Sequence, residues 1–190
     1  MTRSVSRDRP RTRSMDGSDM FHRSPDVRAE VLAAASAMAR ARGETRVGTD
    51  HLLVGVITAG NEVARAAGLS VESLRDALDR LDGSALGAYG IDATPDTWIT
   101  HSFPESFPAC QPWHRRALGR RLPLSTGAKR SLEKSVRVAL DHRHRQITTN
   151  HLLAALSTGA QNDPAIRLLR TADVDPADLE SAARTAIRNA

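Results

Sequence analysis

The amino-acid sequence predicts an all-helical protein built from two related lobes, and three observations carry that prediction. The first is an internal repeat: residues 45–53 read TRVGTDHLL and residues 145–153 read RQITTNHLL. The same offset of 100 aligns Leu32 with Leu132, Ala39 with Ala139 and Thr58 with Thr158. Self-similarity at a fixed spacing marks a structural unit used twice. The second observation is a set of apolar stripes at helical spacing, each opened by a residue suited to capping a helix. The third is the lack of any segment that alternates apolar and polar residues with β-branched or aromatic enrichment, as a half-buried strand requires.

Taken in order, Ser24, Pro25 and Asp26 supply an N-cap, a first-turn proline and a first-turn acid. They open a helix with Val27, Val31, Ala34, Ala35 and Met38 on one face, which Gly43 ends. Thr49 is the expected cap of the next helix, with Leu52, Leu53, Val56 and Ile57 as its stripe. Ser70 starts another through Leu74, Leu78 and Leu81. In the second copy Thr126 leads a helix through Leu132, Val136 and Leu140, and Thr149 caps one carrying Leu152, Leu153 and Leu156. Asp163-Pro164 and Asp175-Pro176 begin the last two.

These elements divide the chain into an arm at 1–23, a first repeat at 24–82, an insertion at 83–123 and a second repeat at 124–190. The arm is polar and rich in Arg, Ser and Asp, the composition of a disordered segment. The insertion holds Tyr89, Trp98, Phe103, Phe107 and Trp113, with Pro95, Pro104, Pro108, Pro112 and Pro123 keeping it irregular. Two readings of it stand side by side. Its aromatics clamp the two lobes together, or Trp98, Phe103, Phe107 and Trp113 form a partner-binding surface.

The formal net charge of +5 is unevenly placed. Residues 26–82 are mildly acidic, whereas from His114 to Arg145 a dense series including Arg115, Arg116, Arg120, Arg121, Lys129, Arg130, Lys134 and Arg137 faces only Glu133 and Asp141. Such a run reads as a solvated face or an acidic-partner patch before it reads as a nucleic-acid footprint. No apolar run reaches the length of about 18 residues that a membrane span needs, so the expected location is the cytoplasm. The single cysteine, Cys110, excludes an intramolecular disulfide and any multi-cysteine metal site.

The paired segments VGTDHLLVGV and ITTNHLLAAL resemble the core of the Clp chaperone N-terminal repeat family, a Gly-Thr-Glu-His-Ile/Leu-Leu-Gly-Leu run that occurs twice. Val47, Gly48, Thr49, His51, Leu52, Leu53 and Gly55 fit the first copy, and Ile147, Thr149, His151, Leu152, Leu153 and Leu156 the second. LSTGAK at 124–129 resembles the family's opening of a helix, as does Gly68-Leu69 before the fourth helix of copy one. The resemblance implies two four-helix repeats related by a pseudo-twofold axis. It also implies a protein-binding role, receiving adaptors, substrates tagged with phosphorylated arginine, or cyclic peptide antibiotics that target the parent chaperone. Docking on the ClpP protease core is an alternative, and a basic nucleic-acid-binding regulator is a third.

Under that resemblance the ligand-binding candidates are Thr49 and Asp50 in copy one and Thr149 and Asn150 in copy two. A helix N-terminus offers N–H groups and positive dipole to a phosphate, while an adjacent carboxylate pairs with the guanidinium. Where the family carries Glu, this chain has Asp50, one methylene shorter, and the neutral Asn150. The same residues also fit plain roles, as a cap, a first-turn acid and packed histidines. No enzyme motif accompanies them. The nearest approach to a phosphate loop, STGAKRS at 125–131, has one glycine, and neither GxSxG nor HExxH occurs. His142 and His144 sit two apart, without companions at metal spacing. The expectation is therefore a non-catalytic protein with no cofactor and no metal.

Overall fold

The computed structural model describes residues 25–89 and 122–190, and among these it is helical throughout, with no strand. The first repeat comprises α1 (Pro25–Ala41), α2 (Thr49–Thr58), α3 (Glu62–Ala66) and α4 (Val71–Gly87). The second comprises α5 (Thr126–Asp141), α6 (Thr149–Ser157), α7 (Pro164–Thr171) and α8 (Pro176–Arg188). The arm at 1–23 and Trp98, Phe103, Phe107 and Trp113 lie outside the described residues. Tyr89, which is described, is 85% exposed.

The central pair is α2 and α6, which touch one another and are buried along nearly their whole length, from Thr49 to Val56 and from His151 to Ser157. Helices apolar on every side belong inside a protein, and the repeated His-Leu-Leu run supplies that character twice. Around them α1 covers α2 and α5 covers α6. The repeats interlock through α4 against α7 and α3 against α8, contacts that exchange under the pseudo-twofold relation. One continuous core results, with Met38, Leu52, Leu53 and Leu74 from the first repeat meeting Leu153, Leu156, Leu168, Leu169, Leu179 and Ile187 from the second. At Gly55 an added Cβ would collide with the Val31 carbonyl oxygen, so the missing side chain lets α1 and α2 approach closely.

Helix ends repeat as faithfully as helix faces. After α1, Gly43 takes φ 69°, its N–H bonds to Arg40 O and the N–H of Glu44 to Ala39 O. After α5, Arg143 takes φ 57° with the matching bonds to Leu140 O and Ala139 O. Gly68 after α3 and Asp173 after α7 form a second such pair, at φ 82° and 58°. These are left-handed C-terminal caps that satisfy orphan carbonyls, held by glycine in the first repeat and by ordinary residues in the second.

Some expectations need correction. Thr49 and Thr149 are not caps: Gly48 and Thr148 hold the N-cap position, each threonine being the first helical residue. Leu140 is 45% exposed, because the buried face of α5 runs through Ala128, Leu132, Ser135, Val136 and Ala139 and leaves it outside. The short α3 had no apolar stripe to announce it, and α4 continues to Gly87, beyond residue 82. The two repeats are also tied by an isolated parallel bridge in which the Val47 N–H donates to Pro123 O and the Ser125 N–H to Val47 O, each at 2.9 Å.

Candidate functional site

The paired motifs lie at the N-termini of α2 and α6, where the repeats meet. In both, the histidine two residues into the helix turns back on the cap. His51 Nδ1 accepts the Gly48 N–H and His151 Nδ1 accepts the Thr148 N–H, both at 3.0 Å. A backbone amide can only donate, so each neutral ring is assigned its proton on Nε2. These rings are buried, at 1% and 0% exposure, and take the third-position half of a capping box by accepting the cap residue's own N–H.

Beyond Nε2 the copies diverge. Glu44 Oε1 stands 3.4 Å from His51 Nε2 and 3.4 Å from Arg42 Nε. Arg42 in turn grips Asp82 of α4 through both carboxylate oxygens, at 2.8 and 3.1 Å. At the equivalent place in copy two stands His144, whose ring meets His151 at 5.2 Å in a T-shaped contact. Burial, with the nearby His144 and His142 adding to it, pushes His151 down to about 4. Glu44, Asp50 and His51 bring ligand atoms within 4.8 Å of one another. The set does not suit a metal, because Nδ1 is already committed to the Gly48 amide and the two carboxylates lie against different nitrogens of one ring.

The two threonines reach into the other repeat, Thr49 buried and Thr149 half-buried. The Thr49 hydroxyl, on a residue 2% exposed, donates to Asp163 Oδ1 at 2.6 Å and accepts from the Ala165 N–H at 3.3 Å. Asp163 is itself the N-cap of α7, accepting from the same Ala165 N–H at 3.0 Å. In the reciprocal contact Asn61, N-cap of α3, donates through Nδ2 to Thr149 Oγ1 at 3.0 Å and to Asn150 Oδ1 at 2.7 Å. Its Oδ1 accepts the Ala64 N–H. Each repeat thus presents the start of its second helix to the cap of the other repeat's third helix. Asn61 and Asp163 are residues that motif reading misses. Their signal is a capping residue before each third helix, displaced by two positions from the main offset.

Of the four candidates, Thr49 is spent on Asp163, and Thr149 with Asn150 on Asn61. Asp50 differs. Its side chain retains 17% exposure and lies 3.2 Å from His51 Nδ1. Burial acts to raise its pKa, and the backbone N–H groups of His51 and Asp50 act to lower it. What results is a carboxylate kept ionised at a helix N-terminus, partly open to solvent and suited to a cationic group.

In the described part of the basic run Lys129, Arg130, Arg137, Arg143 and Arg145 are exposed, while Lys134 is half-buried and donates to Thr158 O at 3.1 Å. Arg115, Arg116, Arg120 and Arg121 lie outside the described residues. No helix among the described residues is long and apolar enough to cross a membrane.

Comparison with known proteins agrees with this architecture. Residues 123–190 match the family model of the Clp repeat (R) N-terminal domain. The chain is similar in structure to the N-terminal domain of the caseinolytic protease associated chaperone ClpD from Arabidopsis thaliana, with a TM-score of 0.61 and 20% identity over 91% of this chain and 99% of that one. It is also similar to a protein studied as part of a malarial protein secretion system, with a TM-score of 0.52 and 12% identity over 86% of this chain and 94% of that one.

Proposed function

Starting from a chain that is Clp N-domain-like in both its second repeat and its overall fold, we propose that it is a non-catalytic protein-binding accessory of a Clp chaperone-protease system. It receives adaptors or tagged substrates in place of a chaperone's own N-domain. Asp50 is the observation that supports this reading most directly: a carboxylate held ionised at the start of α2 and partly open to solvent. A phosphorylated arginine would place its guanidinium on that carboxylate and its phosphate toward the helix N-terminus. Copy two lacks the charge at Asn150 and ties that side chain to Asn61, so the reading assigns binding to copy one alone.

The role is stoichiometric. An accessory of this kind delivers cargo or competes for it, and leaves threading and cleavage to its partners. The test is capture from an extract of the source cell with the full chain as bait, in the presence and absence of free phosphoarginine. Recovery of Clp components, or of proteins released by phosphoarginine, is the expected result. Capture of nucleic acid or unrelated proteins alone, insensitive to phosphoarginine, would refute it.

A further inference from the structure

The second surface of interest lies where α3 meets α8, at one of the two pseudo-equivalent contacts between repeats. Helix α3 has 5 residues and its counterpart α7 has 8. The missing turn leaves a groove of about 500 Å³ between α3 and α8. Its floor is aliphatic, made by Val63 and Ala66 of α3 with Leu179 and Ala182 of α8. Along it stand three exposed carboxylates, Asp173, Asp175 and Asp178. Among the described residues no basic side chain lines this groove.

Two arginines approach it from outside. Arg80 Nη1 is 3.9 Å from Asp173 Oδ2, with both side chains largely exposed, a separation at which pairing is weak. Arg170 lines the shallow extension past Asp173 and Asp175. Asp175 spends one oxygen on capping α8 through the Ala177 N–H. Asp178, in the first turn of α8, has no hydrogen-bond or ion-pair partner among the described residues. An aliphatic floor bordered by carboxylates, in a chain whose net charge is positive, selects for the opposite charge beside an apolar side chain.

We propose that this groove is a docking site for a short extended segment of a partner protein that presents an aliphatic side chain flanked by arginine or lysine. The inference deepens the protein-binding reading by naming a partner class, but it does not use Asp50. The aliphatic side chain seats on Ala66 and Ala182, whose small size creates the space. The flanking cations meet Asp178 and Asp173.

Fluorescence anisotropy tests this on the full chain, with a fluorescein-labelled hexapeptide of alternating arginine and leucine and a glutamate–leucine peptide of the same pattern. The arginine peptide should bind and the glutamate peptide should not. Asp178→Lys should weaken binding at least tenfold, and Ala182→Trp, which fills the groove from an exposed position, should do the same. Thermal midpoints near that of the unaltered chain show that both variants fold. Asp50→Ala should leave this binding unchanged, which separates the groove from the proposed phosphoarginine site. Affinity unaffected by both groove variants, or equal binding of the two peptides, would overturn the proposal. So would tighter binding after removal of residues 1–23, since the groove would then serve the chain's own arginine-rich arm.

Discussion

At the scale of single residues, Thr49 and Asp163 show how a motif residue can be read correctly in type and wrongly in purpose. Thr-Asp-His-Leu-Leu announces a helix start, and the helix starts there. What the local sequence does not carry is the partner of the hydroxyl, which comes from 114 positions away. Asp163→Ala removes a 2.6 Å bond to a buried hydroxyl together with a helix cap, and should cost about 2 kcal/mol in chemical denaturation. A double-mutant cycle with Thr49→Val should show coupling of at least about 0.5 kcal/mol. Additive effects would mean that the two side chains do not share a bond.

His151 makes a second residue-scale prediction. Its ionisation falls to about 4 in the folded protein from an ordinary value of 6.5. Between those values the unfolded chain binds a proton that the folded chain refuses, so stability is full above pH 6.5 and declines as pH falls toward 4. The thermal midpoint should drop across that window. A His151→Gln variant, which keeps an amide oxygen available to the Thr148 N–H, should show a flatter profile there. An unchanged profile would place the titration on another group.

At the scale of elements, apolar stripes located five of the eight helices of the described residues, because each of those spends a whole face on the core, and the Asp-Pro pairs at 163–164 and 175–176 located two more. The short α3 was not legible: five residues give too little periodicity, and it is defined by its Asn61 cap and its contact with α8. Leu140 was misread for a related reason, since a stripe fixes a face only to within about one residue's rotation. The helix ends offer a direct comparison between copies. Arg143 adopts the left-handed conformation that Gly43 fills in the first repeat, so Arg143→Gly should stabilise the protein by about 1 kcal/mol. Gly43→Arg should destabilise it by a similar amount. At Gly55, where a Cβ meets the Val31 carbonyl, Gly55→Ala should cost about 1–3 kcal/mol by forcing α1 from α2. Equilibrium denaturation with unchanged m-value checks all three.

At the scale of the whole molecule, the repeat found in the sequence becomes a reciprocal exchange of caps: Asp163 serves the start of α2 and Asn61 the start of α6. Symmetry of this kind lets one copy keep a function while the other is spent on structure. Here the charged member is Asp50, and Asn150 is folded into the interface. Charge separated the two copies at the level of sequence, and the hydrogen bond from Asn61 to Asn150 separates them again in three dimensions. The candidate pair at copy one was therefore half legible. The carboxylate could be named from the motif, but the withdrawal of Thr49 into the interface could not, because it depends on where the other repeat docks.

Calorimetric titration of free phosphoarginine into the purified chain, its Asp50→Ala variant and its Asn150→Ala variant decides whether Asp50 recognises a ligand. One site is expected, lost or weakened at least tenfold in Asp50→Ala and retained in Asn150→Ala. Absence of binding by the unaltered chain, or equal loss in both variants, would contradict the assignment of ligand recognition to Asp50.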